Sequence, residues 1–505
     1  MNAGAAIEPN SFNPLLVTES IENDIDRMIF NGLTLVDDKN TIQPDLATVV
    51  PSKANGGISA DGKTVTYHLR RGVQWQDGAP FTSADVKFSW QAIMNANTRT
   101  GNRVPYDEIA RVDTPDAYTV IFHLKRPYAP FIAENFNSST IAYVIPQHLL
   151  ARYPDLNMVP FNRAPVGTGP FHMDRWIRGD RIEFSRNEHY FKGVPKLEHI
   201  VLHAIPQENT GINQLRTHEL DLYSYISEAS YNVLRNVPNV RTVITPQNAY
   251  RAIYINTQRP LLSDVRVRQA IAYAIDKKQL VDTVTHGTGA VATEDLPSFM
   301  WAYDRDVPVY RYDPQRARAL LASAGWHPGA GGVMTRGADQ LSFVLALRQG
   351  ATGDTAMAVQ IQSWLDAVGI KTSIKTYPGS MLFALGPTGV LSPGKYDLDV
   401  SGFTQPADPD NSDQFTCANL PPNGFNWTRY CTPEMDRLQS EAITTYDQEA
   451  RKATYAKIET LLARDVPQVY IYYQPIINAV NPALENFKPS MISPSWNVEQ
   501  WQFAR

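Results

Sequence analysis

The stretch from Thr355 to Tyr377 restricts the fold more than any other part of the chain. Met357, Ile361, Trp364, Leu365 and Val368 recur at helical spacing, Gly369 ends the run, and Ile370–Tyr377 follows at once as a strand. A helix that stops at a glycine and feeds straight into a strand belongs to a lobe whose helices pack on a sheet. The predicted class is therefore α/β.

Other segments extend the pattern. Thr64–Leu69 and Tyr118–Leu124 alternate as strands. Between them Thr82 and Asp85 form a capping box, and Val86, Trp90, Ile93 and Met94 follow at helical spacing. Asp313 and Pro314 open a helix with Ala317, Leu320, Leu321 and Ala324 on its buried stripe, and Gly325 closes it. A further helix is expected from Asp447 to Arg464. With 505 residues and roughly 100–200 residues per domain, the chain has room for two to four domains or large lobes.

Composition removes several functions. A net charge of −5 offers no broad basic field for nucleic acid or an anionic membrane. No apolar run reaches the ~18 residues that a membrane span needs; Gln468–Val480 is too short and too polar. Met1–Ala6 has neither basic head nor apolar h-region, so a secretory signal is expected to be absent from this chain. The two cysteines, Cys417 and Cys431, flank a loop rich in Pro, Asn and Gly. A disulfide is expected there, which suits an exported protein.

Three motifs mislead. Gly57–Thr64 matches the P-loop letter for letter, but a strand follows it where phosphate binding requires a helix N-terminus, and Asp61-Gly62 reads as a hairpin turn. Ser392-Pro393-Gly394-Lys395 matches the Ser-x-x-Lys of penicillin-binding enzymes, yet Pro-Gly makes a turn where that serine should open a helix. His199 and His203, with Glu198 adjacent, lie on a strand-like segment and read as surface or core residues. No His-Glu-x-x-His, Cys-x-x-Cys or Gly-x-Ser-x-Gly is present. No catalytic residue, metal or cofactor is expected.

An ordered series of segments carries a resemblance. Pro9–Pro14 and Ile29–Thr34 come first, then Asp61–Val73 and Trp75–Val86. Pro165–Phe171, Arg186-Asn187, Tyr190–Gly193 and Leu220–Leu222 follow, and Val265–Asp276 and Tyr312–Pro314 complete the series. Together they resemble the family 5 extracellular solute-binding proteins, which include dipeptide, oligopeptide and nickel receptors. The order and spacing span nearly the whole chain.

The resemblance implies a two-lobed periplasmic-binding-protein-like fold of type II, of the large cluster, with an extra domain inserted in the first lobe. Its expected boundaries are 1–45, 165–255 and 476–505 for lobe I, 46–164 for the extra domain and 256–475 for lobe II. It implies a receptor of an ABC importer, not an enzyme. Such a receptor closes its lobes over a di- or oligopeptide and delivers it to membrane permease subunits. A monomer is expected, periplasmic or lipid-anchored on the outer face of the cytoplasmic membrane. The alternatives are a receptor for a sugar, an opine-like compound or a metal chelate, and a hydrolase on the same scaffold.

The resemblance also indicates where ligand would bind. Family peptide receptors hold the ligand amine with an aspartate; here the matching stretch, Gly402–Asn411, puts Gln405 or Pro406 at that place. Phe403 and Thr404 precede it, and Asp408 or Asp410 could substitute. Arg348 matches an arginine that holds the ligand carboxylate in dipeptide receptors. Glu8, Asn10 and Phe12 lie in the segment that borders the family cleft. Phe403, Trp427 and Trp496 could supply apolar walls.

Overall fold

The computed structural model describes residues 1–16, 20–100, 103, 105–138, 143–350 and 352–504, apart from the side chains of Ser20 and Thr352. The chain divides into two compact units. The first comprises Met1–Thr245, Pro406–Asp408 and Ile476–Arg505; the second comprises Pro246–Gln405 and Pro409–Pro475. The strands Arg241–Ile255 and Gln468–Val480 each continue from one unit into the other.

In the first unit, Asn2–Ala5 runs parallel to both His199–Ala204 and Leu222–Tyr223. Arg181–Arg186 and Phe171–Ile177 extend this sheet antiparallel. Ile205, Ile212, Leu215, Tyr223, Ile477 and Ala479 close a core over it. Within the expected extra domain, Thr64–His68, Thr119–Leu124 and Ile109–Asp116 form a separate three-stranded antiparallel sheet. The helix Ser83–Met94 starts as the sequence predicts, with the Asp85 carboxylate accepting the Thr82 amide at 2.9 Å.

The P-loop lookalike is a turn. The Gly62 amide donates to the Ser59 carbonyl at 2.9 Å, Gly62 adopts φ +71°, and the strand follows directly. His199 and His203 sit on the strand His199–Ala204, paired with Ser185 and Arg181. Among the described residues no group of three or more His, Cys, Asp or Glu could hold a metal ion, and no helix is long and apolar enough to cross a membrane.

Several segments of the ordered series meet in the first unit. The Gly169 amide donates to the Ile29 carbonyl at 2.7 Å. The Gln76 amide donates to the Gly167 carbonyl at 2.8 Å, and the Gln76 carboxamide accepts the Gly167 amide at 3.0 Å. Asn31 receives the Thr168 hydroxyl at 3.1 Å and donates to Tyr190 at 3.2 Å. A Cβ at Gly167 would stand 1.7 Å from the Ile29 carbonyl oxygen, so only glycine permits this approach.

In the second unit, Ser342–Arg348 pairs parallel with Lys371–Tyr377 on one side and with Leu398–Thr404 on the other. Leu398–Thr404 pairs antiparallel with Ala249–Ile255. Alternation divides these strands between two cores. Ile253, Ile255, Phe343, Leu345, Leu347, Leu398 and Val400 face the helices Val265–Ala274, Lys277–Val284, Pro314–Ser323 and Thr352–Ala367. Tyr250, Ala252, Tyr254 and Ala346 face a second core with Tyr377, Tyr396, Trp427 and Tyr470. Asp313 caps its helix through the Arg316 amide, and Gly325 and Gly369 end theirs at φ +84° and +85°. Ser392–Lys395 is a turn, with Gly394 at φ +73°. A disulfide joins Cys417 to Cys431, fourteen positions apart.

Two outcomes are expected in thermal denaturation. Gly167→Ala lowers stability by about 1–3 kcal/mol, because the Ile29 backbone must move to admit a methyl group; an unchanged Tm would mean that this junction yields freely. Replacing both cysteines with serine costs about 3 kcal/mol through the loop entropy returned to the unfolded chain, read as a lowered denaturation midpoint.

Candidate functional site

Ligands of open α/β sheets bind outside the carboxyl ends of the parallel strands. In the second unit that rule selects Arg348, Tyr377 and Thr404, the last residues of three adjacent strands. Arg348 pairs in register with Tyr377. Its stem lies against Gly379, where an added Cβ would be 3.2 Å from the Arg348 Cδ. The guanidinium is exposed, and among the described residues it makes no hydrogen bond or ion pair. Thr404 is exposed and Phe403 half-buried. Phe403 meets Phe425 edge to face, and Phe425 meets Trp427 in the same way, at centroid separations of 6.2 and 6.0 Å. Trp427 itself is buried, and its carbonyl accepts the Tyr396 hydroxyl.

Gln405 turns inward. It is 1% exposed, its amide donates to the Asn248 carbonyl at 2.8 Å, and its carboxamide donates to Asp295 at 2.8 Å. Asp295 also accepts from Asn411 at 2.8 Å, and Asn411 reaches Glu459 at 3.3 Å and accepts from Gln439 at 2.6 Å. Glu294, Asp295, Asp413 and Glu459 thus lie close together in the interior of this unit. Burial is the main cause that raises each above the ordinary carboxylate range. The neighbouring acids Asp295 and Glu294 add to it at Glu459, and Asp410 and Asp295 bring Asp413 to about 8. Nearby, Glu294, Glu459 and Lys277 line a cavity of about 20 Å³ with Tyr310 and Gln468, room for one water. Burial pushes the Lys277 amine down to about 8.

In the first unit, the carboxyl end of Asn2–Ala5 leads directly into the segment of Glu8, Asn10 and Phe12. Glu8 accepts the Trp176 indole N–H at 2.8 Å and the Gly179 amide at 3.0 Å, closing the turn between Phe171–Ile177 and Arg181–Arg186. Phe12 is fully buried and meets Trp176 edge-on at 4.8 Å. The Asn10 amide donates to Glu22 at 2.7 Å while Asn10 as a whole is exposed. The Trp496 indole donates to the Lys488 carbonyl, and Asp408 is buried. The Asp410 carboxylate, in the second unit, accepts the Ser412 amide at 2.9 Å.

Sequence reasoning missed the acidic interior and the charged pair Arg251–Asp354, whose separation is 3.5 Å. The available signal was an arginine inside an otherwise apolar, tyrosine-rich strand.

Residues 41–426 match the family model described as bacterial extracellular solute-binding proteins, family 5 middle. The chain is 29% identical to the oligopeptide-binding protein AppA of Bacillus subtilis over 99% of its length and 91% of that protein's. Against the Escherichia coli dipeptide-binding protein the identity is 27%, covering 95% of this chain and 90% of the other. The structure of B. subtilis AppA with a nonapeptide superposes with a TM-score of 0.85 at 27% identity, covering 100% of this chain and 99% of that one. Campylobacter jejuni NikZ with Ni(L-His) gives 0.85 at 26%, covering 99% of both.

This is therefore a non-catalytic solute receptor with the mixed α/β fold of such proteins over its full length. It belongs to the family 5 bacterial extracellular solute-binding proteins, the receptors of ABC importers.

The buried acids predict a pH dependence. Their folded-state pKa values are raised, so the folded chain holds protons that the unfolded chain releases near the usual carboxylate pKa of about 4. The stability they contribute is complete below that pH and is lost as pH rises through about 8, the value for Asp413. Lys277 acts oppositely, but only above about 8. Urea denaturation should give falling stability from pH 5 to pH 8, with a shallower fall in Glu459→Gln; a steady rise across that range would contradict the assignment.

Proposed function

We propose that this receptor captures a peptide on the outer side of the cytoplasmic membrane, free in a periplasm or held by a lipid anchor, and delivers it to the permease subunits of its importer. The observation that carries this reading is the likeness, along the whole chain, to an oligopeptide-binding protein whose structure holds a nonapeptide. We assign Arg348 to the ligand carboxylate: a permanently charged guanidinium at the carboxyl edge, with no hydrogen bond or ion pair among the described residues, suits bidentate recognition. Phe403 and Thr404 flank it on the neighbouring strand. In the first unit, the exposed Asn10 is assigned to ligand contact. Glu8, Phe12, Trp427 and Trp496 support their segments, and Asp408 and Asp410 hold the chain beyond Gln405.

One observation favours a second reading, a metal chelate or another non-peptide solute. Gln405 or Pro406 stands at the place of the amine-binding aspartate in peptide receptors, and the Gln405 carboxamide is taken up by Asp295. A related receptor is solved with Ni(L-His).

Native mass spectrometry of gently purified protein, followed by denaturing extraction, separates the two. Peptides of defined length, with free carboxyl ends, are expected. A bound non-peptide, or a metal complex, would overturn the peptide assignment.

A further inference from the structure

Arg251 sits in a strand whose other residues from Tyr250 to Ile255 are buried and uncharged. Two features accommodate it. Gly402 lies directly across the antiparallel pair. A Cβ on Gly402 would stand 2.4 Å from the Tyr250 carbonyl oxygen and 2.9 Å from the Arg251 Cδ, so the arginine stem crosses the bare backbone of that glycine. The guanidinium then reaches the Asp354 carboxylate at 3.5 Å.

Asp354 is 4% exposed and stands in the first turn of the helix Thr352–Ala367. Burial is the main influence on its carboxyl group and raises its pKa; the charges of Arg251 and then Arg348 oppose that. Both guanidiniums therefore lie in the field of Asp354, and Arg251 also lies in the field of a second buried acid, Asp399. Arg251 pairs with Asp354, while Arg348 makes no hydrogen bond or ion pair among the described residues. A buried carboxylate stripped of its partner is strongly unfavourable, so Asp354 without Arg251 would draw in the nearest remaining cation, Arg348.

We infer that Arg251 is a positioning residue: by satisfying Asp354 it keeps the Arg348 guanidinium available for a free carboxylate on the solute. The solute class this implies, an anion-ended molecule, rests on the assignment of Arg348 made above. The arrangement explains why a charged residue and a glycine face one another across the strand pair beside that edge. It also gives Gly402 a role that any side chain would obstruct.

Phenylglyoxal, which adds to unhindered guanidiniums, tests this without any solute. After brief labelling of the full chain, peptide mass spectrometry reads modification at Arg348 and Arg251. In the unsubstituted protein Arg348 labels readily. In Arg251→Met its labelling falls by about fivefold, the upper range for a partly exposed ion pair, and in Arg251→Met with Asp354→Asn it recovers. Unchanged labelling of Arg348 in Arg251→Met overturns the inference. If Arg251→Met does not fold, Asp354→Asn decides alone: Arg251 should label faster and Arg348 as before. A rise at Arg348 would mean that Asp354 holds Arg348, and the inference fails. Calorimetry with trialanine and its C-terminal amide tests the receptor reading separately. The unsubstituted protein should prefer the free acid, Arg251→Met should lose the preference, and the double variant should regain it. If neither form binds, the peptide reading falls, while labelling still decides the role of Arg251.

Discussion

The second unit depends on one strand. Ser342–Arg348 is hydrogen-bonded along both sides to parallel neighbours, so its backbone groups are satisfied only where Lys371–Tyr377 and Leu398–Thr404 run the same way. Parallel strands need crossovers, and the helix Thr352–Ala367 supplies one of them. That direction sends three strand ends to a single edge. Of the three end residues, Tyr377 packs into the second core, while Arg348 and Thr404 are exposed. Arg348 is exposed although Leu347, one residue earlier, is fully buried.

The same geometry limits what the edge can offer. Leu398–Thr404 leaves the sheet at Thr404, and the next residue turns back into the protein. Gln405 spends its carboxamide on Asp295, whose carboxyl group burial raises above the ordinary carboxylate range. A carboxylate at position 405 would face that interior and add another buried acid to it, which explains physically why a neutral amide suits this chain. The buried acids lie inside, and the Arg348 guanidinium lies outside, with no hydrogen bond or ion pair among the described residues.

Periodicity made the elements legible. The helix ending at Gly369, the cap at Asp313 and the box at Thr82–Asp85 all depend on contacts within a few residues. The false P-loop was legible for the same reason, since a strand rather than a helix follows Thr64. The ordered segments were recognisable as a set, but their purpose was not. Gly167 and Ile29 are far apart in sequence, and only the fold brings the glycine to within the reach of that carbonyl. Long-range polar contacts escaped for a related reason. Nothing local distinguishes Glu459 in its helix from a solvated surface glutamate. Phe12 shows another limit: expected in the segment that borders the family cleft, it is buried and packed against Trp176.

The frame and the recognising charges are set by different forces. The cores select residues by volume and alternation, and at 27–29% identity many substitutions preserve those properties. The charges at the edge are few, and each needs a partner or an exit to water. Arg251 can occupy its strand only because Gly402 leaves the space and Asp354 supplies the counter-charge. Changing any of the three disturbs the pairing of Arg251 with Asp354. One relative of this scaffold is solved with a nonapeptide and another with Ni(L-His), which a shared fold permits because function lives in sites set on the fold and not in the fold itself.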